Sequence, residues 1–208
     1  FRALLRETAI RLKGEAASVE EQALILEDIM AEERADRLIL SWDSFMALPG
    51  WAMKKSLYPS AGGRTRAFSQ IFPQIEAEFH VAIRSPATFL PLLYDRLKPE
   101  SYDAFMAGTE LFSLRWSTPI RRLRAPNPQA SGTGWGGEDT PLIWPEVLRA
   151  VSGLPEDVPL AGEDDLLATL RAGEGMARLR RDRASHPPQS ILQRRRSVSA
   201  GSVVSSRG

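Results

Sequence analysis

Arg84, Ser85 and Pro86 stand together in AIRSPATFLPLLY, residues 82–94. An alternating apolar run closing on arginine, then a hydroxyl residue and a proline, predicts a strand, a helix cap and a first helical turn. Such a helix start exposes unpaired N–H groups and partial positive charge, which together favour a phosphate or sulfate. Asp43 follows a second apolar run in RLILSWDSF, residues 37–45. A carboxylate there could take the proton of an acceptor hydroxyl, although a turn or cap is the plainer role for a loop aspartate. If the two runs are neighbouring strands, Arg84, Ser85 and Asp43 share the carboxyl edge of a sheet, where ligands of open α/β folds gather. The bland alternative is a well-formed strand-to-helix turn that binds nothing.

Few other residues have the spacing of a reactive centre. The chain has no cysteine, which excludes a disulfide framework, a thiolate metal site and a cysteine nucleophile. His80 and His186 are far apart in sequence, so no histidine-based metal cluster is expected. His80 alternates with Phe79 and Val81 within the predicted strand and reads as a packed histidine. Glu138 and Asp139 precede a predicted helix and suit its dipole better than a metal. The five tryptophans are scattered; Trp42 and Trp51 could line a pocket, but packing is the expectation for all of them.

The composition is that of a water-exposed globular chain: 43% hydrophobic and 25% charged residues, with no apolar stretch long enough to span a bilayer. A cytoplasmic setting is therefore expected. The net charge of +1 conceals an acidic body and a basic end. Residues 1–170 carry 18 Lys and Arg against 24 Asp and Glu, whereas residues 171–208 carry nine Arg against two carboxylates. The part from 186 onward, rich in Ser, Arg, Gly and Pro, is expected to be a disordered tail behind a domain spanning 1–185. It has no interleaved aromatics for base stacking, so nucleic-acid binding by the tail is not expected. A plain solvated segment, or a shifted reading frame, accounts for its composition.

The elements that must position the corner follow from periodicity. Helices are expected at 2–13, from Ser18 to about Glu33 with a Ser18–Glu21 capping box, at 61–71, and from Pro86 to about Leu97 with a kink or early end at Pro91. The second of these should bury Ala23, Leu24, Leu26, Ile29 and Met30. Further helices are expected after Ser101, over 113–124 with an interruption near Pro119, after Thr140 with Pro141 in its first turn, and over 163–170. Strands are expected at 37–41, buried on both faces, and at 78–84. Strands separated by helices imply parallel pairing, so the fold class is α/β and helix-rich. Two strands are too few for such a core. Residues 126–137 read as loop by composition, yet one more strand is expected, degenerate or hidden, near residues 131–136, and another upstream of Phe1, which opens the sequence inside a helix-like pattern.

FHVAIRSPATFLPLLY, residues 79–94, resembles the strand, Arg-x-Pro turn and helix of P-loop sulfotransferases and their uncharacterised bacterial relatives. RLILSWDSF and WGGEDTPLIWPEVLRAVSGL add weaker likeness, and together they cover roughly residues 1–175. The resemblance implies a three-layer P-loop NTPase-like fold, a parallel sheet flanked by helices, incomplete in this chain. It implies 3′-phosphoadenosine 5′-phosphosulfate as sulfuryl donor, a small-molecule or glycan acceptor, Arg84 at the donor's 3′-phosphate and Asp43 on the acceptor side, with Ser85 and the helix start at Pro86 completing a remnant anion site. Two departures stand against activity. Leu92 occupies the place of the family's 3′-phosphate-binding serine, and no G-x-x-x-x-G-K-[ST] loop occurs, SAGGRTR at 60–66 being its faint echo. Both imply weak donor binding and little transfer by the chain as it stands, and leave a non-catalytic, partner-binding α/β protein as the alternative.

Overall fold

A computed structural model describes residues 2–30 and 34–170. The expected tail at 186–208 lies outside them. The chain divides after Gly137 into two compact units.

The first unit opens with α1, Arg2–Leu12, and α2, Val19–Ile29. α1 stops where Lys13 and Gly14 both take positive φ, the conformation that ends helices. α2 begins on the expected capping box: the Ser18 hydroxyl accepts the Glu21 N–H, and the Glu21 carboxylate accepts the Ser18 N–H. α2 ends sooner than expected, with Met30 already extended at φ −98°. Its buried residue is Ile25, at 3% exposure, while Leu24 stands 66% exposed. Three consecutive apolar residues fit two helical faces equally, and the packing of Ile25 with Leu5, Ala9 and Ile71 decides between them.

α3, Ala61–Ser69, follows a long loop and packs on α6, Ser117–Arg124. SAGGRTR is therefore the start of a helix and not a phosphate loop. Gly62 is needed there because a Cβ would lie 2.5 Å from the Arg122 carbonyl oxygen. One turn on, the Thr65 hydroxyl donates to the carbonyls of Ala61 and Gly62 at 3.0 Å. Buried Asn127 donates through Nδ2 to Thr65 Oγ1 at 3.2 Å and to the Leu123 carbonyl at 3.1 Å. Its Oδ1 accepts from the Ser69 hydroxyl at 2.7 Å. This knot satisfies the polar groups that the close approach of α3 and α6 removes from water.

The sheet is α/β in character and small. β1, Glu78–Ile83, pairs in parallel with β2, Ser131–Gly136, from Glu78 opposite Ser131 to Ile83 opposite Gly136. β2 is the strand expected near 131–136. The crossover between the two carries α4, Pro86–Leu97, α5, Tyr102–Met106, and α6. α4 runs unbroken through Pro91; Ala87, whose carbonyl loses its helical partner to the proline, is exposed, as is Pro91 itself. Leu90, Leu93, Phe105, Met106 and Leu114 form the core beneath the crossover with Ala52, Met53 and Leu57.

The strand expected at 37–41 is absent. Leu38, Ile39 and Leu40 are 36%, 52% and 37% exposed, in irregular backbone. Among the described residues no strand pairs with this run, and strand conformation without a ladder has little to hold it. An ion pair from Arg37 to Glu78 ties the segment to the start of β1.

In the second unit, α7, Trp144–Ser152, starts later than expected. Ile143 is its N-cap residue and Pro145 takes the first-turn position assigned to Pro141. Arg149 donates to the carbonyls of Pro155 and Val158 at 2.8 and 2.7 Å. α8 is one short turn, Asp165–Ala168. Among the described residues no helix is long and apolar enough to cross a membrane.

Candidate anion-binding corner

Arg84 and Ser85 join the carboxyl end of β1 to the first turn of α4. Both are exposed. Ser85 holds the N-cap position with φ −51° and ψ 132°, but its hydroxyl makes no capping bond. The capping relation runs the other way: the Thr88 hydroxyl donates to the Ser85 carbonyl at 3.0 Å. The backbone carbonyl of Ser85 also accepts the Thr88 and Phe89 N–H groups, at 3.0 and 2.8 Å, so the helix begins tightly. The Arg84 guanidinium has no carboxylate partner among the described residues, in a chain where Arg37 and Arg11 are both paired.

The corner is fixed from below by a residue that sequence reasoning assigned only to packing. The Trp116 indole N–H donates to the Arg84 carbonyl at 2.6 Å. Trp116 packs in turn against Tyr58 and Phe89, with ring centroids 5.7 and 6.0 Å away. Burial pushes the Tyr58 phenol above its ordinary pKa, so it stays neutral. No local signal marks a tryptophan as the anchor of a loop distant in sequence; the crossover brings it there.

Asp43 is elsewhere. It sits exposed in a turn closed by the Phe45 N–H on the Trp42 carbonyl, and its Oδ1 accepts from the Ser44 hydroxyl at 3.3 Å. Phe45 stacks on Phe68 at 4.7 Å and lies 6.0 Å from Phe79, the second residue of β1. Arg64 seals this turn by donating to the carbonyls of Ser44 and Phe45, and burial, with Arg6 nearby, lowers its pKa. Asp43 thus accompanies the amino end of β1, and Arg84 follows the carboxyl end about 16 Å along the strand. The edge expected to hold both does not, because the strand that was to deliver Asp43 is unformed.

Leu92, on α4 beyond the corner, is 53% exposed and offers no hydrogen bond. His80 Nε2 lies 3.3 Å from the Glu78 carboxylate, with Nδ1 buried and unpartnered among the described residues. Among the described residues no group of three or more metal-ligating side chains converges. Trp42 packs edge-on to Phe68, whereas Trp51 is 57% exposed, with Lys54 over its ring at 4.5 Å. Comparison with known protein families, with curated proteins and with solved structures found no match.

Proposed function

We propose that the β1–α4 corner receives the phosphate of a 3′-phosphoadenosine nucleotide, and that the chain is a sulfotransferase-like protein of P-loop-type α/β architecture. The observation that carries this reading is Arg84. It is exposed, lacks a carboxylate partner among the described residues, and lies where a parallel strand hands over to a helix of 12 residues. The guanidinium fork and the helix N-terminus suit the same anion. Sulfuryl transfer also needs a base to take the acceptor's proton as oxygen attacks sulfur and the 5′-phosphate leaves. Asp43 stands apart from the corner, so the reading extends to donor recognition, and binding without turnover is the form of it that the geometry favours.

Isothermal calorimetry with 3′-phosphoadenosine 5′-phosphate, against adenosine 5′-phosphate, tests it. Losing one charge-assisted contact should weaken binding of the first nucleotide about ten-fold in Arg84→Ala and leave the second unchanged. Undetectable binding, or equal affinity in wild type and Arg84→Ala, would sink the proposal.

A further inference from the structure

Two long segments of the first unit contain no carboxylate. Residues 44–75 carry Lys54, Lys55, Arg64 and Arg66, and residues 111–137 carry Arg115, Arg121, Arg122 and Arg124. The first unit as a whole is nearly balanced in charge, with 17 Lys and Arg against 16 Asp and Glu over residues 1–137, so such stretches matter only if they meet, and the fold makes them meet. α3 lies on α6, Tyr58 packs on Trp116, and Met53 shares a core cluster with Leu114. Arg6, on a helix that packs against α3, adds to the field felt by Arg64. The acids bordering the two segments in sequence are Asp43, Glu76, Glu110 and Glu138, with Glu7 on α1; Trp51 and Lys54 also line a cavity with Leu97, Pro99 and Ala104, in the stretch that carries Glu100 and Asp103.

The cations divide by what holds them. Arg64 and Arg122 are half-buried and committed to backbone carbonyls, the latter also to Ser56 Oγ at 3.0 Å. Arg121, Arg124, Lys54 and Lys55 are exposed and have no acidic partner among the described residues, although Lys54 rests over the Trp51 ring. The same region carries two exposed aromatic rings, Phe112 at 87% and Trp51 at 57%. Phe112 occupies a single 3-10 turn, Leu111–Ser113, held by the Arg115 guanidinium, which donates to the carbonyls of Phe112 and Leu114 at 2.8 Å.

We infer that the α3–α6 face and its flanking aromatics form a contact surface for single-stranded nucleic acid. Exposed guanidiniums and ammoniums track a phosphate backbone, and flat rings held outward stack on unpaired bases. A sulfated polysaccharide would use the charges and not the rings, and a ring committed to folding would not stand nearly nine-tenths in water as Phe112 does. The basic residues beyond 170 are a different stretch of the sequence and contain no Phe, Trp or Tyr.

The test is fluorescence anisotropy with a fluorescein-labelled uridine oligomer of about 16 nucleotides, titrated with the full chain between about 0.05 and about 0.2 M salt. Arg121→Gln with Arg124→Gln should weaken binding about ten-fold or more and reduce the log–log salt slope by about 1.4. Phe112→Ala should weaken the oligomer about five-fold or more and leave competition by dextran sulfate unchanged. Lys54→Gln with Lys55→Gln gives an independent pair should the helix variants lose ellipticity, with the same loss expected. Wild-type affinity and slope in both charge variants would assign binding to the C-terminal arginines and overturn the inference. Loss with the charge variants but none with Phe112→Ala would mark a general polyanion face and overturn it equally.

Discussion

The indole N–H of Trp116 donates to the carbonyl oxygen of Arg84 at 2.6 Å, across 32 residues of sequence. That bond joins the N-terminal end of α6 to the turn between β1 and α4, so the position of the Arg84 backbone is set by a residue outside its own strand and helix.

Trp116→Phe keeps the ring contacts with Tyr58 and Phe89 and removes only the donor. The lost bond should cost about 1 kcal/mol, read as a shift in urea midpoint without a change in slope. Binding of 3′-phosphoadenosine 5′-phosphate should weaken with it; unchanged affinity would show that the anchor does not position Arg84.

Neighbouring glycines of α3 should respond in opposite senses. Gly62→Ala drives a methyl group to 2.5 Å from the Arg122 carbonyl oxygen and should destabilise by about 1–3 kcal/mol. Gly63→Ala meets nothing within 4 Å and should stabilise by up to about 1 kcal/mol through helix propensity. Equilibrium denaturation of the two single variants decides whether the α3–α6 approach is as close as described.

Thr65→Val preserves shape but deletes the hydroxyl that accepts from Asn127 Nδ2 and donates to Ala61 and Gly62. One contact of a buried amide then goes unmet, a loss of about 1–3 kcal/mol in thermal or urea unfolding. Thr65→Ser, which keeps the hydroxyl, should recover most of it. Equal losses in the two variants would assign the effect to packing.

Acid should loosen two local links. The Ser18 N–H, then the Arg11 guanidinium, hold the Glu21 carboxyl below the ordinary glutamate value of 4.5. The Arg37 guanidinium, then His80, do the same for Glu78, also from 4.5. A depressed folded-state pKa means that each contribution is present above about pH 4.5 and is lost as pH falls through the folded value. Carboxyl NMR titrations should place both midpoints below 4.5, and Arg11→Gln and Arg37→Gln should move Glu21 and Glu78 respectively toward it. Midpoints unmoved by those substitutions would contradict the assignment.

What could be read from the sequence was what neighbouring residues decide among themselves. The Ser18–Glu21 box, the Ser101 cap that accepts the Ala104 N–H at 3.1 Å, and the strand–turn–helix through Arg84 are local agreements. β2 was accessible only through the topological need for another strand, since SGTGWG carries no strand-like alternation. Leu38, Ile39 and Leu40 misled because an apolar run reports a capacity for pairing, and pairing depends on a partner. The Asp43 expectation failed with that strand. Trp116 and the Gly62 contact were illegible because each is set by an element more than 30 residues away.

The parallel pairing of β1 with β2 also has a consequence in time. Residues 84–130 intervene, and they contain α4, α5 and α6. Ordering so long a crossover is an entropic cost that the ladder of a two-stranded sheet cannot meet before the helices have collapsed on Leu90, Phe105 and Leu114. Gly132 and Gly134 add to that cost. The sheet is therefore expected to close late on a helical nucleus, and hydrogen exchange should find its amides among the first to open to solvent.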